Sequence, residues 1–376
     1  MIAIISYHKE PNYGTMLQAY ALAQAIRNLG KECRYLDYVK MRRHPLPLLL
    51  LRKLKHFIER RVLRRNSLGE FAFFNTEPFS AIMQRFNSFH DEHIPVDNNT
   101  YYIDTVAQTA NDYERYIVGS DQTWSPLLNQ HPYTQNFLEF CPSGTKKSSY
   151  APSIGTLAPP QQYINRMAGA LKDFDYLSCR EKSNCQVLSE TLDRPVEYVI
   201  DPTLLLDERE WMKVSCDGST PQQPYILAYI LGTKHCISDF AEELGKSQSL
   251  PVYYIATRPE FLHRDHVIAD AGPAEFISLI KNARYVVTDS FHGTIFSINF
   301  NVNFYSFTKR AGLSHNDNAN DNDRIPAILA EYGLSERFHN DDDKHFSPDI
   351  DFTAVNATLA VRRQCSAEYL HKIINY

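Results

Sequence analysis

The stretch VVTDSFHGTIFS, residues 286–297, opens as a buried strand and closes as a helix, with an acid, a hydroxyl and an imidazole packed into the joint. In an open α/β sheet, ligands lie beyond the carboxyl ends of the strands. A helix that starts there points its free N–H groups and the positive end of its dipole at them. Asp289 or Ser290 can cap such a helix, Gly293 lets backbone approach a ligand, and His292 projects from the first turn. Taken alone, the joint reads equally well as a capped helix carrying a structural histidine.

Working outward, strands and helices alternate along the chain. Ile2 to Ser6 reads as a strand, Gly14 to Leu29 as a helix closed by Gly30, and Cys33 to Val39 as a second strand. Further strand candidates are Tyr116 to Val118, Lys147 to Ala151, Tyr176 to Cys179 and Val196 to Ile200, with helices at Gln161 to Lys172 and Lys182 to Thr191. The polar stretch SCDGSTPQQP, 215–224, reads as a linker. After it the pattern restarts with strand Tyr225 to Leu231, helix Ile237 to Lys246, strand Val252 to Ala256, helix Pro273 to Asn282 and strand Arg284 to Thr288. The expected fold is α/β, two Rossmann-like domains with mainly parallel sheets facing across a cleft. The expected division is 1–215, 225–350, and a C-terminal helix, 351–376, packing back on the N-terminal domain.

A chain of 376 residues is too long for one ordinary core and suits two domains of about 150 to 200 residues. A hydrophobic fraction of 43% against 22% charged residues is that of a soluble globular protein. MIAIISYHKE runs straight into an apolar strand without the signature of a secretory signal, so a cytoplasmic location is expected. Seven cysteines form no CxxC, which argues against a disulfide framework or a zinc site.

The net charge of −5 hides an asymmetry. Residues 40–65 hold ten Lys or Arg against Glu59, a local charge of +9 that leaves −14 for the remainder. Leu48 to Leu51, Leu54, Phe57, Ile58, Val62 and Leu63 have roughly helical spacing, with Arg60, Arg61, Arg64 and Arg65 among the basic residues around them. Such a segment suits an anionic membrane surface, and it equally suits a solvated surface helix packed on its leucines. Nucleic acid is not expected, because no stacking module accompanies the charge.

Several chemistries are excluded by what is missing. No GxG, GKS, GKT or GxSxG occurs, which removes the dinucleotide fingerprint, the P-loop and the hydrolase elbow. His90 with His93 and His263 with His266 have helical metal-ligand spacing, but nothing completes a site. NDNANDND, 316–323, fails the calcium-loop spacing and reads as a loop. No metal and no cofactor are expected.

What remains is a set of strand ends. The first strand runs into HKEPNYGT, with His8, Asn12, Tyr13 and Gly14; a later one runs into GSDQTW, with Ser120, Asp121, Gln122 and Trp124. The strand ending at Cys179 delivers Arg180, whose fork suits a carboxylate or phosphate. Each has a plain alternative: turn chemistry, a cap, a core indole, a salt bridge to Glu181. Together they describe an inter-domain cleft.

The segments NYGTMLQAYALAQAI (12–26), IVGSDQTWSP (117–126), SYAPSIG (149–155), SCREKSN (178–184), VIDPTLLL (199–206) and VTDSFHGTIFSI (287–298) together resemble the polysaccharide pyruvyl transferase family. The resemblance implies a GT-B-like enzyme that moves the enolpyruvyl skeleton of phosphoenolpyruvate onto sugar hydroxyls, usually as a ketal. Some members have NxGD near the start; here Thr15 stands where that Asp would lie.

The chemistry then distributes over named residues. Phosphoenolpyruvate carries close to three negative charges, which calls for a helix N-terminus and fixed cations: Ser290, His292, Gly293 and Thr294, Arg180, and further Lys309, Arg310 or Arg324. His292 is the expected acid toward the methylene carbon, with Asp121 or Asp289 as base. His8, Asn12, Tyr13, Gly14, Ser120, Asp121, Gln122 and Trp124 form the acceptor side. The expected acceptor is a hexose of a bacterial polysaccharide precursor, lipid-diphosphate-linked and met at the membrane through residues 40–65. A GT-B glycosyltransferase using a nucleotide sugar and a non-catalytic glycan- or lipid-binding protein are the alternatives.

Overall fold

In the computed structural model, residues 1–39, 77–102, 105–126, 135–308 and 324–376 are described. The basic segment at 40–65, the 316–323 loop, Lys309 and Arg310 lie outside the described residues.

The N-terminal half begins with β1 (Ile2–Ile5), α1 (Tyr13–Asn28), β2 (Cys33–Val39), α2 (Glu77–His93), β3 (Val96–Tyr102), β4 (Arg115–Val118) and β5 (Lys146–Ser149). It continues with α3 (Gln161–Leu171), β6 (Ser178–Cys179), α4 (Lys182–Leu192), β7 (Glu197–Tyr198) and α5 (Glu208–Met212). No helix or strand forms over 213–225. The C-terminal half holds β8 (Ile226–Tyr229), α6 (His235–Gln248), β9 (Val252–Ile255), β10 (Val267–Ile268), α7 (Pro273–Lys281), β11 (Tyr285–Thr288) and α8 (Phe291–Asn299). Then follow β12 (Asn303–Phe307), α9 (Arg324–Glu331), β13 (Phe338–His339) and α10 (Phe352–Asn375).

All pairings in the two large sheets are parallel. The first has the order β3-β2-β1-β4-β5 and the second β10-β9-β8-β11-β12-β13. The strand order therefore reverses between β1 and β4 in one sheet and between β8 and β11 in the other. A reversal sends the neighbouring loops apart and opens a crevice at the carboxyl ends of the strands. Central strands here are short and apolar on both faces, as IAII and YVVT require when helices cover the sheet on each side.

The helices that face this crevice are capped by side chains. Asn12 accepts the Thr15 N–H at 3.1 Å to start α1, and Ser290 accepts the Gly293 N–H at 3.3 Å to start α8. Gly30, at φ 76, takes the left-handed turn that stops α1.

One apolar cluster runs through both halves, from α1 across to α7 and α8. Tyr13 lies at its centre, stacked on Phe276 at 4.5 Å with its hydroxyl donating to the Ala271 carbonyl at 2.7 Å. Asn299 adds polar links, donating to the carbonyls of Thr203 and Leu206, both at 3.0 Å. Helix α10 returns to the first half. Arg115 donates to the Ile373 carbonyl, Tyr369 to the Ser149 carbonyl, and the Ile200 N–H to Ser366 Oγ. Among the described residues no helix is long and apolar enough to cross a membrane.

Candidate functional site

The crevices of the two sheets open onto the same space. Asn12 and Thr15 reach it from the cap and first turn of α1, Asp121 and Gln122 from the turn after β4, and Asp289, Ser290 and His292 from the end of β11 and the first turn of α8. Arg324, at the start of α9, lies on the same wall. The enclosed space is about 100 Å³, enough for a small anion.

The seat of His292 explains Gly14. A Cβ on Gly14 would lie 2.0 Å from His292 Nδ1, so the imidazole of one domain rests directly on the helix backbone of the other. Its Nε2 points at Asp201 Oδ2, 3.7 Å away, and has no hydrogen-bond partner. That distance is too long for a hydrogen bond and short enough for strong charge interaction.

Asp201 is the hub beneath the site. Its side chain is fully buried and accepts from Arg180 Nη1 at 2.6 Å, Thr203 N–H at 3.0 Å, Thr203 Oγ1 at 2.8 Å and Ser120 Oγ at 3.3 Å. Burial alone would raise its pKa. The neighbouring His292, the Arg180 guanidinium and the Thr203 N–H more than offset that and hold the carboxyl well below the usual carboxylate range. A permanent anion thus sits next to His292 and fixes Arg180.

Asp121 reaches the cleft in a strained backbone, φ 73 and ψ −174, where residues other than glycine are rare. Its carboxylate accepts the Gln122 N–H at 2.8 Å and the Thr15 hydroxyl at 2.7 Å. Thr15, standing where some relatives have an acid, therefore binds the acid that the GSD segment supplies.

The structure corrects several sequence expectations. Trp124 is fully buried, with its indole N–H donating to the Asn136 carbonyl, and offers no face to an acceptor. Tyr13 plugs the domain interface. Ser120 is fully buried against Asp201. His8 lies aside from His292, on the wall of a separate depression, with its Nδ1 3.2 Å from His90 Nε2; burial pushes its pKa down to about 4. Gly293 serves packing rather than ligand approach, because a Cβ there would meet Thr288 Oγ1 at 2.6 Å. Thr294 is fully buried and hydrogen-bonded to Ser306.

Asp289 gives both carboxylate oxygens to the N–H groups of Leu231 and Gly232, each at 2.7 Å, so it ties the loop after β8 to β11. Arg180 lies against the Phe291 ring at 4.4 Å and lines the neighbouring chamber, not the space beside Asp121. Asp201 is the residue beneath the cleft that strand-end reasoning missed; it stands within VIDPTLLL, one of the segments that carried the resemblance.

Among the described residues, no group of three or more His, Cys, Asp or Glu is placed to hold a metal. A larger depression of about 620 Å³ borders the amino end of β9, away from both crevices, and brings together none of the cleft residues.

Comparison with solved structures gives distant likenesses that cover nearly the whole chain. The UDP-GlcNAc 2-epimerase of Methanocaldococcus jannaschii is 10% identical over 96% of this chain and 92% of its own, with a TM-score of 0.49. The E. coli ADP-heptose lps heptosyltransferase II is 11% identical over 96% and 98%, with a TM-score of 0.35. The glycosyltransferase SnogD from Streptomyces nogalater is 13% identical over 99% and 98%, with a TM-score of 0.41. Comparison with curated proteins gives no match. A family model described as polysaccharide pyruvyl transferase matches residues 12–308, from the cap of α1 through β11, α8 and β12. That span contains Asn12, Gly14, Asp121, Arg180, Asp201 and His292, and the chain belongs to the polysaccharide pyruvyl transferase family.

Proposed function

We propose that this protein transfers the pyruvate skeleton of phosphoenolpyruvate to a hexose of a bacterial polysaccharide precursor, closing a ketal and releasing phosphate. The observation that carries the reading is the meeting of Asp121 and His292, delivered by different domains to one small cleft that an arginine also lines. Two proton-transfer groups facing each other across a space for a small anion suit an addition that needs an acid on one partner and a base on the other.

In this reading the donor lies at the N-terminus of α8, with Ser290, His292 and Arg324 around its anionic groups. His292 gives a proton to the methylene carbon, and the adjacent carbon becomes oxocarbenium-like. Asp121 takes the proton of an acceptor hydroxyl as its oxygen bonds to that carbon. Loss of phosphate and attack by a neighbouring hydroxyl then close the ring, the second hydroxyl proton leaving with the phosphate. Asp201 stands 3.7 Å from the imidazole and helps fix its place beneath the cleft. Arg180 neutralises Asp201 from below, a positioning role that replaces the direct donor contact expected from its sequence.

The acceptor is lipid-diphosphate-linked in this proposal, and the basic stretch at 40–65 holds the enzyme against an anionic membrane surface. His292→Gln tests the chemical assignment. Turnover is expected to fall about 100-fold or more while affinity for phosphoenolpyruvate changes little, as measured by single-turnover kinetics and equilibrium binding. A normal rate at saturating donor would remove His292 as the acid.

A further inference from the structure

A second chamber of about 480 Å³ adjoins the cleft and shares Phe291 and Arg324 with it. Its other walls include Arg180, Lys182, Ser183 and Arg362. Helix α4 starts there without a side-chain cap. Its N-cap residue Glu181 turns its carboxylate away, accepting from Ser153 Oγ and from the Ile154 N–H at 3.2 Å. The first-turn N–H groups are left to solvent or to a ligand, and the helix dipole favours an anion there.

Arg180 supplies an independent sign. It is only 6% exposed, and although Nη1 is bound to Asp201, neither Nε nor Nη2 has a hydrogen-bond partner. Glu181 Oε1 lies 3.7 Å from Nε, beyond hydrogen-bond reach. Buried guanidinium N–H groups without acceptors are costly, so this side chain, which lines the chamber, keeps hydrogen-bonding capacity that a ligand oxygen could draw on after a small shift of the guanidinium. The two carboxylates on the wall are already engaged. Glu181 is held as above, and Glu331 accepts from Tyr198 and pairs with Arg362. The lining of the chamber therefore has net positive character.

We propose that this chamber binds a phosphate or diphosphate group of the acceptor, so that one ligand spans both spaces, its phosphate beside α4 and its reacting hydroxyl beside His292. Anion binding here does not depend on the donor's identity; assigning the anion to the acceptor rests on the reading above. The shared wall of Phe291 and Arg324 makes the two spaces neighbours, as a sugar phosphate requires.

Calorimetric titration with inorganic pyrophosphate and with inorganic phosphate tests this, using the full chain and the variants Lys182→Glu, Arg362→Gln and His292→Gln. Lys182 is exposed, so its charge reversal leaves the fold intact. Pyrophosphate affinity is expected to fall about tenfold or more in the first two variants and to change little in His292→Gln. Wild-type protein is expected to prefer pyrophosphate to phosphate. Affinity untouched by Lys182→Glu and Arg362→Gln, or no binding to wild type at millimolar pyrophosphate, would overturn the site. A preference for inorganic phosphate would overturn its assignment to the acceptor. Phosphoenolpyruvate titrated into the same variants separates the two ideas: failure of donor binding in wild type counts against the pyruvyl reading and leaves the pyrophosphate result standing.

Discussion

Asp121 and Asp289 occupy matching places, each just past a central strand at the point where its sheet's order reverses. Their surroundings differ. Asp289 is 2% exposed, and both its oxygens are held by backbone N–H groups of the adjacent loop. Asp121 is partly exposed to the cleft and sits at φ 73, with the hydroxyl of Thr15, in the first turn of α1, as its tertiary partner. The C-terminal acid ties two loops together at the edge of the cleft. The N-terminal acid reaches the cleft at the cost of backbone strain. Position at a strand end therefore marks a candidate, and exposure to the cleft, rather than the number of hydrogen bonds, separates the two acids.

The largest expected effect comes from Asp121→Gly. Glycine adopts this conformation freely, so relief of strain of about 1–3 kcal/mol offsets the lost cap. Stability is expected to hold or rise while turnover falls about 100-fold or more, read by denaturant unfolding alongside product formation. A clear loss of stability would place Asp121 with Asp289 as a structural acid and erase the contrast.

Asp289→Asn is expected to do the reverse. An amide cannot accept two backbone N–H groups with both its heavy atoms, so one charge-assisted bond is lost and one N–H is left buried. Stability should drop by about 2 kcal/mol, and the melting temperature with it. Full stability with lost turnover would make Asp289 the proton-transfer group instead.

The smallest effect is expected for Thr15→Val, which keeps the shape and removes the hydroxyl on Asp121. A three- to tenfold fall in turnover, restored by Thr15→Ser, would show that the hydroxyl orients the acid. An unchanged rate would show that Asp121 needs no such support.

Much of the fold was legible because parallel strands buried on both faces are short apolar runs, and the helices between them carry plain caps such as Asn12 and Ser290. Strand β3, VDNNTYY, escaped because an edge strand need not be apolar and asparagine is depleted in strands. Strand β12, NFYSF, is wholly buried, yet its first residue is an asparagine and no alternation marks it. At the site, chemistry carried by a single residue type was visible: His292 and Asp121 stand where a strand end puts them. Relations between distant residues were not. Gly14 looks like turn chemistry until His292 is found resting on it, and Asp201 looks like an ordinary Asp-Pro corner until Arg180 and His292 are seen to converge on it. Trp124 and Tyr13 misled because an aromatic beside a strand end serves a core as readily as a ligand.

In the proposed reaction this cleft moves pyruvate from phosphoenolpyruvate to a sugar. Mass spectrometry of lipid-linked glycan precursors incubated with phosphoenolpyruvate, with wild-type protein and with His292→Gln, tests it most directly. Wild-type protein is expected to add the mass of pyruvic acid less one water, with one phosphate released per acceptor, and the variant to add almost none in the same time. Acceptors unchanged by phosphoenolpyruvate but enlarged by a hexose from a nucleotide sugar would contradict it.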